Sequence, residues 1–490
     1  MSSIAHDPHL TASDYYRFFQ CPHWPYYEWF ATDAERAIKR ELAPGEMRRL
    51  ENGIIHERDV VARVYTEMEL VNAPVTGNIE LDAEKTQRQM QLGAKLIYQG
   101  ALAHGSWIGR PDLLVRIDAP SRFGNWMYVP LDIKSSHDLE KYQRMQLCFY
   151  AALLEIVQGA YPTKAGIVNA DGQEIWFTPS EHIAEFELIT AELEEIRAGV
   201  KPDPVLRKSC FDTGPWGKLC QASAEATGDI ALLFNVDVKK LRALRSVGVR
   251  TIQDAAEMDP VTIDGSAKGL RLHGLEVMKR QAQALLSHAV FVREPVSLPA
   301  HIPEIHFDIE SDPANDRDYL YGFFVRIDGT ETYHSFRATG GTDERALWES
   351  FLAWLPTLPT EYVVYHYSMY EMTRLSILEQ RYGGCAWLEV FRSRMIDLKE
   401  LVTHAVTFPL YFYGLKYIAK FLGHSWRSEV QGGGASIDAF ERYLETLDEK
   451  IFADIVLYNE DDVRATAVLS DWLQQYAKEV AGYEAPYPWK

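Results

Sequence analysis

The chain has 490 residues, 47% of them hydrophobic and 12% aromatic. This composition indicates well-packed globular domains, and the length suggests about three of them. With 70 acidic and 50 basic residues the net charge is −20, which argues against a general DNA-coating protein but not against sites where carboxylates hold divalent cations. No apolar run is long enough to span a bilayer, and residues 1–7 lack the features of a signal peptide, so a cytoplasmic protein without a membrane partner is expected.

The first 225 residues have the pattern of an α/β unit built around two strands, Asp112–Ile117 and Trp126–Ile133, joined by a turn rich in Asp, Pro, Ser and Gly. Side chains two apart on a strand share a face, so Asp132 and Lys134 point the same way, and Asp112 comes from the neighbouring strand. Carboxylates of this kind bind divalent cations. A lysine beside them can orient the attacking water or stabilise the charge that develops in phosphodiester cleavage.

Three further side chains extend this candidate site. The helix that follows places Gln146 and Tyr150 one turn apart, where both can position a phosphate. Upstream, His56 brings an imidazole within reach of the metal.

Together these residues resemble the P-D-(D/E)-x-K nucleases of the RecB-like branch, which includes the CRISPR-associated RecB-like exonucleases. The match runs in the order His56, Gly109-Arg110-Pro111-Asp112, Asp132-Ile133-Lys134-Ser135-Ser136, Gln146 and Tyr150. The resemblance implies a restriction-endonuclease-like core that uses Mg²⁺ or Mn²⁺, with His56, Asp112 and Asp132 as metal ligands and Lys134, Gln146 and Tyr150 as catalytic residues. A surface hairpin with ordinary carboxylates is the alternative.

The cysteines bracket this unit. Five cysteines in a chain expected to be cytosolic do not predict a disulfide framework. Cys21 precedes the core, and Cys210 and Cys220 close it, as in iron–sulfur members of the RecB-like branch, but Gly214 stands about where a fourth cysteine is expected. Three thiolates cannot complete a four-thiolate 4Fe–4S cluster. The alternatives are a cluster with another fourth ligand, a Zn²⁺ ion on Cys21, His23, Cys210 and Cys220, or a vestigial clasp held by packing. In each case the role is structural.

A helical pattern follows over residues 226–298. Leu241–Ala256 resembles a degenerate helix–hairpin–helix, in which backbone amides of the turn bind a DNA phosphate without reading sequence. Arg245, Gly248 and Arg250 are the candidate contacts. A plain helical spacer is the alternative.

A second α/β pattern begins near residue 299. Residues 305–310 alternate like a strand, so Asp308 and Glu310 face one way, and such a pair can hold two metal ions for phosphodiester hydrolysis. Residues 449–476 have the pattern of one long helix. Tyr458 and Asp462 lie one turn apart on it, so Asp462 can complete the site while Tyr458 orients the water.

Residues 300–480 resemble the DEDD exonucleases of the RNase H-like fold, the DnaQ-type proofreading group, in its tyrosine subclass. Asp308 and Glu310 match the first motif, and Tyr458 with Asp462 matches the third. The second motif departs from the pattern of this family, because Glu371 stands where an aspartate is expected and His366-Tyr367 stands where an asparagine is expected. Asp397 is a secondary candidate and more typical of a helix cap, and Lys416 is a candidate phosphate contact.

The sequence therefore predicts an α/β multidomain protein: a RecB-like nuclease domain over 1–225, a helix–hairpin–helix-like connector over 226–298, and an RNase H-like 3′–5′ exonuclease-type domain over 299–490. The predicted function is a metal-dependent DNA exonuclease with two hydrolytic sites, acting on single-stranded or frayed ends. By analogy a helicase is a plausible partner. An RNA 3′ exonuclease and a non-catalytic nucleic-acid-binding scaffold with decayed sites are the alternatives.

Overall fold

The computed structural model describes residues 8–483 apart from 66–68, 208–209, 211–213, 339, 341–342 and 431. The chain divides into two units, Met1–Ala226 and Thr227–Lys490. The helical segment predicted over 226–298 falls within the second unit. No helix in the described part of the chain is both long enough and apolar enough to cross a membrane.

The N-terminal unit combines helices with short strands. Its helices are α1 (Ala12–Gln20), α2 (His23–Phe30), α3 (Asp33–Arg36), α4 (Pro44–Val64), α5 (Ile79–Gln91), α6 (Lys141–Gln158), α7 (Ile183–Arg197) and α8 (Gly217–Thr227), with a 3₁₀ turn at Pro179–His182. Its strands are β1 (Leu70–Asn72), β2 (Leu96–Tyr98), β3 (Leu102–His104), β4 (Trp107–Gly109), β5 (Leu113–Ile117), β6 (Met127–Ile133), β7 (Ala165–Val168) and β8 (Glu174–Phe177).

Strand β6 is the central strand that carries the N-terminal site. It lies inside a six-stranded sheet of order β1-β2-β5-β6-β7-β8, and all seven of its residues are buried, as its continuous apolar run favours. The predicted pairing of β5 with β6 is confirmed: the strands are antiparallel and Leu113 lies opposite Leu131. Continuing this register by one residue brings Asp112 opposite Asp132.

The C-terminal unit contains a longer sheet and more helices. Its helices are α9 (Val238–Ser246), α10 (Ile252–Glu257), α11 (Pro260–Ile263), α12 (Leu272–Ser287), α13 (Glu344–Trp354), α14 (Tyr370–Tyr382), α15 (Ala386–Ser393), α16 (Leu398–Ala405), α17 (Leu415–Phe421), α18 (Gly433–Thr446) and α19 (Glu449–Tyr476), with 3₁₀ turns at Ile230–Leu232, Pro313–Asn315 and Leu355–Thr357. Its strands are β9 (Val290–Val292), β10 (Glu304–Asp312), β11 (Arg317–Ile327), β12 (Thr330–Arg337), β13 (Val363–His366), β14 (Met395–Asp397), β15 (Val406–Thr407) and β16 (Ala481–Tyr483).

A five-stranded sheet of order β12-β11-β10-β13-β14 forms the centre of this unit. Strand β10 pairs antiparallel with β11 and parallel with β13, which in turn pairs parallel with β14. The Asp328-Gly329 dipeptide is a typical hairpin turn in sequence, and in the structure both residues have positive φ (50° and 78°) and join β11 to β12 in a two-residue turn. On β10, Phe307 and Ile309 are buried in the core, so the alternate residues face the other side of the sheet.

Helix α19 covers that other side. It has 28 residues and is capped at its N-terminus by Asp448, whose side chain accepts a hydrogen bond from the amide of Lys450. Its bounds are those that the sequence pattern predicts. Because α19 packs against both β10 and β11, its third and fourth turns reach the carboxylates of β10.

Candidate metal centres

Three carboxylates of the C-terminal unit converge between β10 and α19. Asp308 and Glu310 share one face of β10, and Asp462 projects from α19. An oxygen atom from each of the three lies within 4.8 Å of the other two. The strand alternation and the helical spacing seen in the sequence therefore do bring these residues together.

Each carboxylate is held by a different hydrogen-bond donor. Asn459 Nδ2 donates to Asp308 Oδ2 at 2.8 Å and Ser436 Oγ donates to Glu310 Oε2 at 2.7 Å. Trp426 Nε1 donates to Asp462 Oδ1 at 2.6 Å. These donors fix the orientation of the acidic groups, as outer partners of metal ligands commonly do.

The electrostatics of this cluster favour a bound cation. Burial, followed by the charges of Glu310 and Asp462, raises the pKa of Asp308 well above its ordinary value. Burial and the neighbouring Asp462 raise the pKa of Glu310 to about 8, and burial raises that of Asp462 to about 6. Grouped carboxylates that resist ionisation together are the donor set that Mg²⁺ or Mn²⁺ neutralises, so the residues fit such an ion.

Tyr458 and Lys416 border the cluster. Tyr458 is 3% exposed and hydrogen-bonds to Asp462. Burial and the nearby carboxylates raise the pKa of this phenol far above its ordinary value, so it stays protonated. Lys416 Nζ lies 4.4 Å from the centre of the Tyr458 ring. Burial lowers the pKa of Lys416 despite the opposing effect of Asp462 and Glu310.

Glu371, the predicted second-motif ligand, is not part of the group of three. It is buried at the start of α14, where Oε2 lies 3.4 Å from His366 Nδ1. Asp397 acts as the helix cap that its sequence context indicates, because Oδ1 accepts hydrogen bonds from the amides of Ser368 and Lys399.

The sequence pattern did not single out Asn459, Trp426 or Ser436. Asn459 precedes Asp462 by three residues on α19, so helical spacing alone could have placed it on the same face. Trp426 and Ser436 are 36 and 126 residues away from their partners along the chain, and nothing in their local sequence indicates the contact.

The N-terminal unit brings together the three residues predicted around its hairpin. The amide of Asp112 donates to Asp132 Oδ1 at 3.2 Å, and the amide of Ile133 donates to Asp112 Oδ2 at 2.8 Å. Lys134 Nζ lies 3.0 Å from Asp132 Oδ2. Burial and the charge of Asp132 raise the pKa of Asp112 to about 8. Burial lowers the pKa of Lys134, but the two aspartates outweigh it and the net shift is upward.

Helix α4 contributes a further acidic group beside Asp112. Gln99 Nε2 donates to Asp112 Oδ1 at 3.2 Å and to Glu57 Oε1 at 2.5 Å, so the amide bridges the two carboxylates. His56 precedes Glu57, and its Nε2 is buried without a hydrogen-bond partner among the described residues. Among the described residues, His56, Asp112 and Asp132 do not form a group with ligand atoms within 4.8 Å of one another, so the metal-ligand role of His56 stays a prediction.

Gln146 and Tyr150 occupy buried positions on α6. Tyr150 OH donates to the carbonyl of Arg110 at 3.5 Å, and burial together with the charges of Asp132 and Asp112 raises its pKa well above the ordinary value. Gln146 Nε2 donates to the carbonyl of Ala12 at 3.1 Å, while its Oε1 is buried without a partner within the described chain.

Three cysteines and three candidate helix–hairpin–helix residues complete the set of predicted residues. Cys21, Cys210 and Cys220 lie together in a buried cluster of the N-terminal unit. Arg245 is buried at the end of α9, and its Nη2 lies 2.8 Å from Asp229 Oδ1, so this guanidinium is committed to an internal ion pair. Gly248 has φ of 88° in the turn between α9 and α10, as the helix–hairpin–helix resemblance requires, and Arg250 after it is exposed.

Comparison with known proteins identifies the C-terminal region. A family model described as RNase_H superfamily matches residues 305–474, a span that includes all but the first residue of β10 and all but the last two residues of α19. The chain therefore contains an RNase H-like domain, a class of generally hydrolytic nucleases that use divalent metals. The matched span does not include the N-terminal unit, so the RecB-like resemblance of residues 1–225 stays a prediction. No curated protein gives a significant match.

Proposed function

We propose that this protein is a metal-dependent nuclease that hydrolyses phosphodiester bonds at the Asp308, Glu310 and Asp462 cluster. The observation that carries the proposal is the convergence of these three carboxylates within 4.8 Å, inside a span that matches the RNase H superfamily. The arrangement supports a DEDD-type exonuclease, in which carboxylates from a strand and from a helix bind the same metal ions.

The side chains of the cluster have distinct roles in this proposal. Asp308, Glu310 and Asp462 would hold Mg²⁺ or Mn²⁺, which when bound polarises the phosphate and lowers the pKa of an attacking water. Tyr458 remains a neutral phenol at physiological pH, so it orients the water as a hydrogen-bond partner and does not act as a base. Lys416, at the edge of the cluster, contacts a phosphate oxygen of the substrate.

A second hydrolytic site in the N-terminal unit is part of the same proposal. His56, Asp112 and Asp132 would hold the cation, and Lys134, 3.0 Å from Asp132, orients the attacking water. The unpartnered Nε2 of His56 supports this assignment. In this proposal Gln146 and Tyr150 position the scissile phosphate from α6, and the effect of Asp132 and Asp112 on the pKa of Tyr150 supports its place beside the site.

Single-stranded or frayed DNA is the proposed substrate. Beside the C-terminal cluster, Lys416 and Lys420 lie 5.5 and 5.9 Å from the ring centre of Trp426, a combination of cation and aromatic that favours an unpaired strand. Met369 and Tyr370 are 59% and 40% exposed next to Glu371 and offer a surface on which a base can stack. A helicase that supplies the single strand is the partner we propose.

A non-catalytic scaffold is the second candidate function. The observation that favours it is Glu371, which lies against His366 and outside the group of three carboxylates. If Glu371 cannot join the metal, the C-terminal domain would bind a strand without cutting it.

Cleavage of end-labelled single-stranded DNA and RNA, with Mg²⁺ and with Mn²⁺, tests these proposals. Wild type is compared with Asp308→Asn, Asp132→Asn, the double variant, and Glu349→Gln as a control at a surface carboxylate that is 66% exposed. We expect each aspartate change to remove a different set of products, the double variant to be inactive and Glu349→Gln to match wild type.

Other results of the same assay select between the alternatives. Cleavage of RNA but not of DNA would replace the proposed substrate with RNA. Retention of strands by wild type without cleavage in either metal would establish the scaffold and overturn the catalytic proposal.

A further inference from the structure

The four residues Cys21, His23, Cys210 and Cys220, here called the thiol cluster, meet in the interior of the N-terminal unit. Each is at most 4% exposed. Donor atoms of Cys21, His23 and Cys220 all lie within 4.8 Å of one another. The sulfur of Cys21 lies 3.7 Å from that of Cys220, and the thiol of Cys210 hydrogen-bonds to that of Cys21.

The hydrogen bond of the His23 imidazole sets a tautomer that suits a metal ligand. Its Nε2 lies 2.8 Å from the carbonyl oxygen of Pro202, which can only accept a hydrogen bond. The ring proton is therefore on Nε2, and Nδ1 is the nitrogen that carries the lone pair. A ligating histidine typically donates its other ring N–H to a backbone carbonyl in this way.

Backbone amides also point at the sulfur atoms. The amide of His23 hydrogen-bonds to the sulfur of Cys21, and the amide of Arg207 to that of Cys210. Such donors favour the thiolate, the form in which cysteine binds a metal, but the neighbouring cysteines and burial together raise the pKa of Cys21 and of Cys210 above the ordinary value, so both are thiols in the absence of a metal ion.

We propose that the thiol cluster is a structural Zn²⁺ site in which Cys21, Cys210, Cys220 and Nδ1 of His23 are the four ligands. Three sulfurs and one imidazole nitrogen are a common donor set of closed, tetrahedral zinc sites. The site is separate from the two carboxylate clusters and does not depend on the proposed nuclease activity.

The separation of two of the sulfurs is compatible with a shared zinc ion and excludes a disulfide. Zn–S bonds of about 2.3 Å at a tetrahedral centre place two sulfurs about 3.8 Å apart, close to the 3.7 Å between Cys21 and Cys220. A disulfide needs about 2.05 Å. In a 4Fe–4S cluster each thiolate binds a different iron atom, which holds the sulfurs farther apart than a single shared ion does.

A zinc ion here would join the two ends of the N-terminal unit. Cys21 and His23 lie where α1 meets α2, whereas Cys220 is on α8, 199 residues after Cys21. A bond that closes so long a loop restricts the unfolded chain strongly, and zinc affinity adds to the stability of the folded unit. The ion would therefore stabilise this unit without taking part in chemistry.

Metal analysis of the full-length protein, purified without a metal-affinity tag and washed with a weak chelator, tests the proposal. We expect about one zinc ion per chain, no iron or sulfide, and a lower melting temperature after a strong chelator removes the zinc. Cys21→Ser and Cys220→Ser should lose the ion, and Cys385→Ser, a cysteine outside the thiol cluster, should keep it.

His23→Cys provides a positive test, because four thiolates also bind zinc tetrahedrally. With Co²⁺ in place of zinc, wild type should show the visible bands of a tetrahedral ion and the charge-transfer band of three thiolates, and His23→Cys should show a stronger charge-transfer band. The Co²⁺ spectrum of wild type needs no variant to fold, and carboxylate sites give no thiolate band.

Three results would overturn the zinc site. One is a protein that binds no thiolate-coordinated Co²⁺ or zinc. Another is stoichiometric iron with sulfide, which would show an iron–sulfur cluster. The third is zinc that persists in Cys21→Ser but is lost from Asp308→Asn, which would place the ion at the carboxylates.

Discussion

The surroundings of Asp308 strongly oppose the ionisation of its carboxyl group. Burial and the charges of Glu310 and Asp462 raise its pKa in the folded protein, whereas an unfolded aspartate has a pKa of about 3.9. The folded state therefore binds this proton more tightly than the unfolded state. Without metal, stability from this group falls as the pH rises from about 4 through the raised folded pKa.

Asp308→Asn should accordingly stabilise the metal-free protein while removing the metal site. At pH 8 in chelator we expect a gain of about 1–2 kcal/mol, because a like charge is removed from a buried cluster. In an Asp132→Asn background, a change in melting temperature on adding metal reports binding at the C-terminal site alone. In this background, added Mn²⁺ should raise the melting temperature of the protein that retains Asp308. It should leave the melting temperature of the protein that also carries Asp308→Asn unchanged.

Glu349→Gln in the same background is the control, and it should respond to Mn²⁺ as its parent does. A metal-free Asp308→Asn protein that melts below its parent at pH 8 would contradict the electrostatic account of the cluster.

Trp426 contributes through one hydrogen bond, from Nε1 to Asp462 Oδ1. Trp426→Phe removes this donor and keeps an aromatic ring, so we expect Mn²⁺ affinity at the C-terminal site to fall about tenfold or more, as for other outer partners of metal ligands. Titration with Mn²⁺ measures the change. Trp387→Phe, at a tryptophan that is 49% exposed, is the matched control and should not alter affinity. Equal affinities for the two variants would show that Trp426 does not position Asp462.

The convergence of Asp308, Glu310 and Asp462 could be predicted from the sequence, but the place of Glu371 outside this group and two of the hydrogen-bond donors could not. Alternation along a strand put Asp308 beside Glu310, and helical spacing put Tyr458 beside Asp462. Trp426 and Ser436 reach the site only through the packing of the whole domain, for which no local pattern exists.

At the scale of elements, the site depends on how closely α19 approaches β11. Gly322 on β11 lies opposite Asp308, and a Cβ there would fall 1.5 Å from Asn459 Oδ1 and 2.9 Å from the hydroxyl of Tyr333. Asn459 is fully buried, accepts a hydrogen bond from Tyr333 and donates one to Asp308. A glycine at this position of β11 is therefore what allows α19 to hold the metal ligand.

Gly322→Ala should displace Asn459 from Asp308. We expect a loss of about 1–3 kcal/mol from overpacking and weaker Mn²⁺ binding at the C-terminal site, measured by denaturant unfolding and by titration. Gly434→Ala is the control, because a Cβ at that helical glycine meets nothing within 4 Å. It should leave stability equal or slightly higher. Wild-type stability in Gly322→Ala would show that α19 can move away from the sheet without cost.

Long elements in which hydrophobic residues recur with a clear period were predictable from the sequence, and short elements were not. Helix α19 and the β11–β12 hairpin agree with the sequence pattern because each has a clear period and a clear turn or cap. Strands β9, β15 and β16 have two or three residues each and form a small sheet of their own. Segments so short carry no period, so only long-range pairing defines them.

At the scale of the whole molecule, the chain has two acidic clusters, one in each unit, and a net charge of −20. Burial raises the pKa of Asp112 in one cluster and of Asp308 in the other, and both clusters have a nearby lysine, Lys134 in one and Lys416 in the other. This shared chemistry was visible in the sequence as two separate patterns of carboxylates. The thiol cluster was visible in the sequence as three cysteines and His23, but the choice between zinc, an iron–sulfur cluster and a packed clasp depends on distances that only the fold gives.

Titration of the protein with Mn²⁺, followed by the loss of the free-ion signal in electron paramagnetic resonance, tests the central claim that the Asp308, Glu310 and Asp462 cluster is a metal centre. Wild type should show two classes of site, Asp132→Asn should lose one, Asp308→Asn the other, and Glu349→Gln neither. Undiminished Mn²⁺ binding by Asp308→Asn in the Asp132→Asn background would contradict the account, since no carboxylate metal centre would then depend on β10.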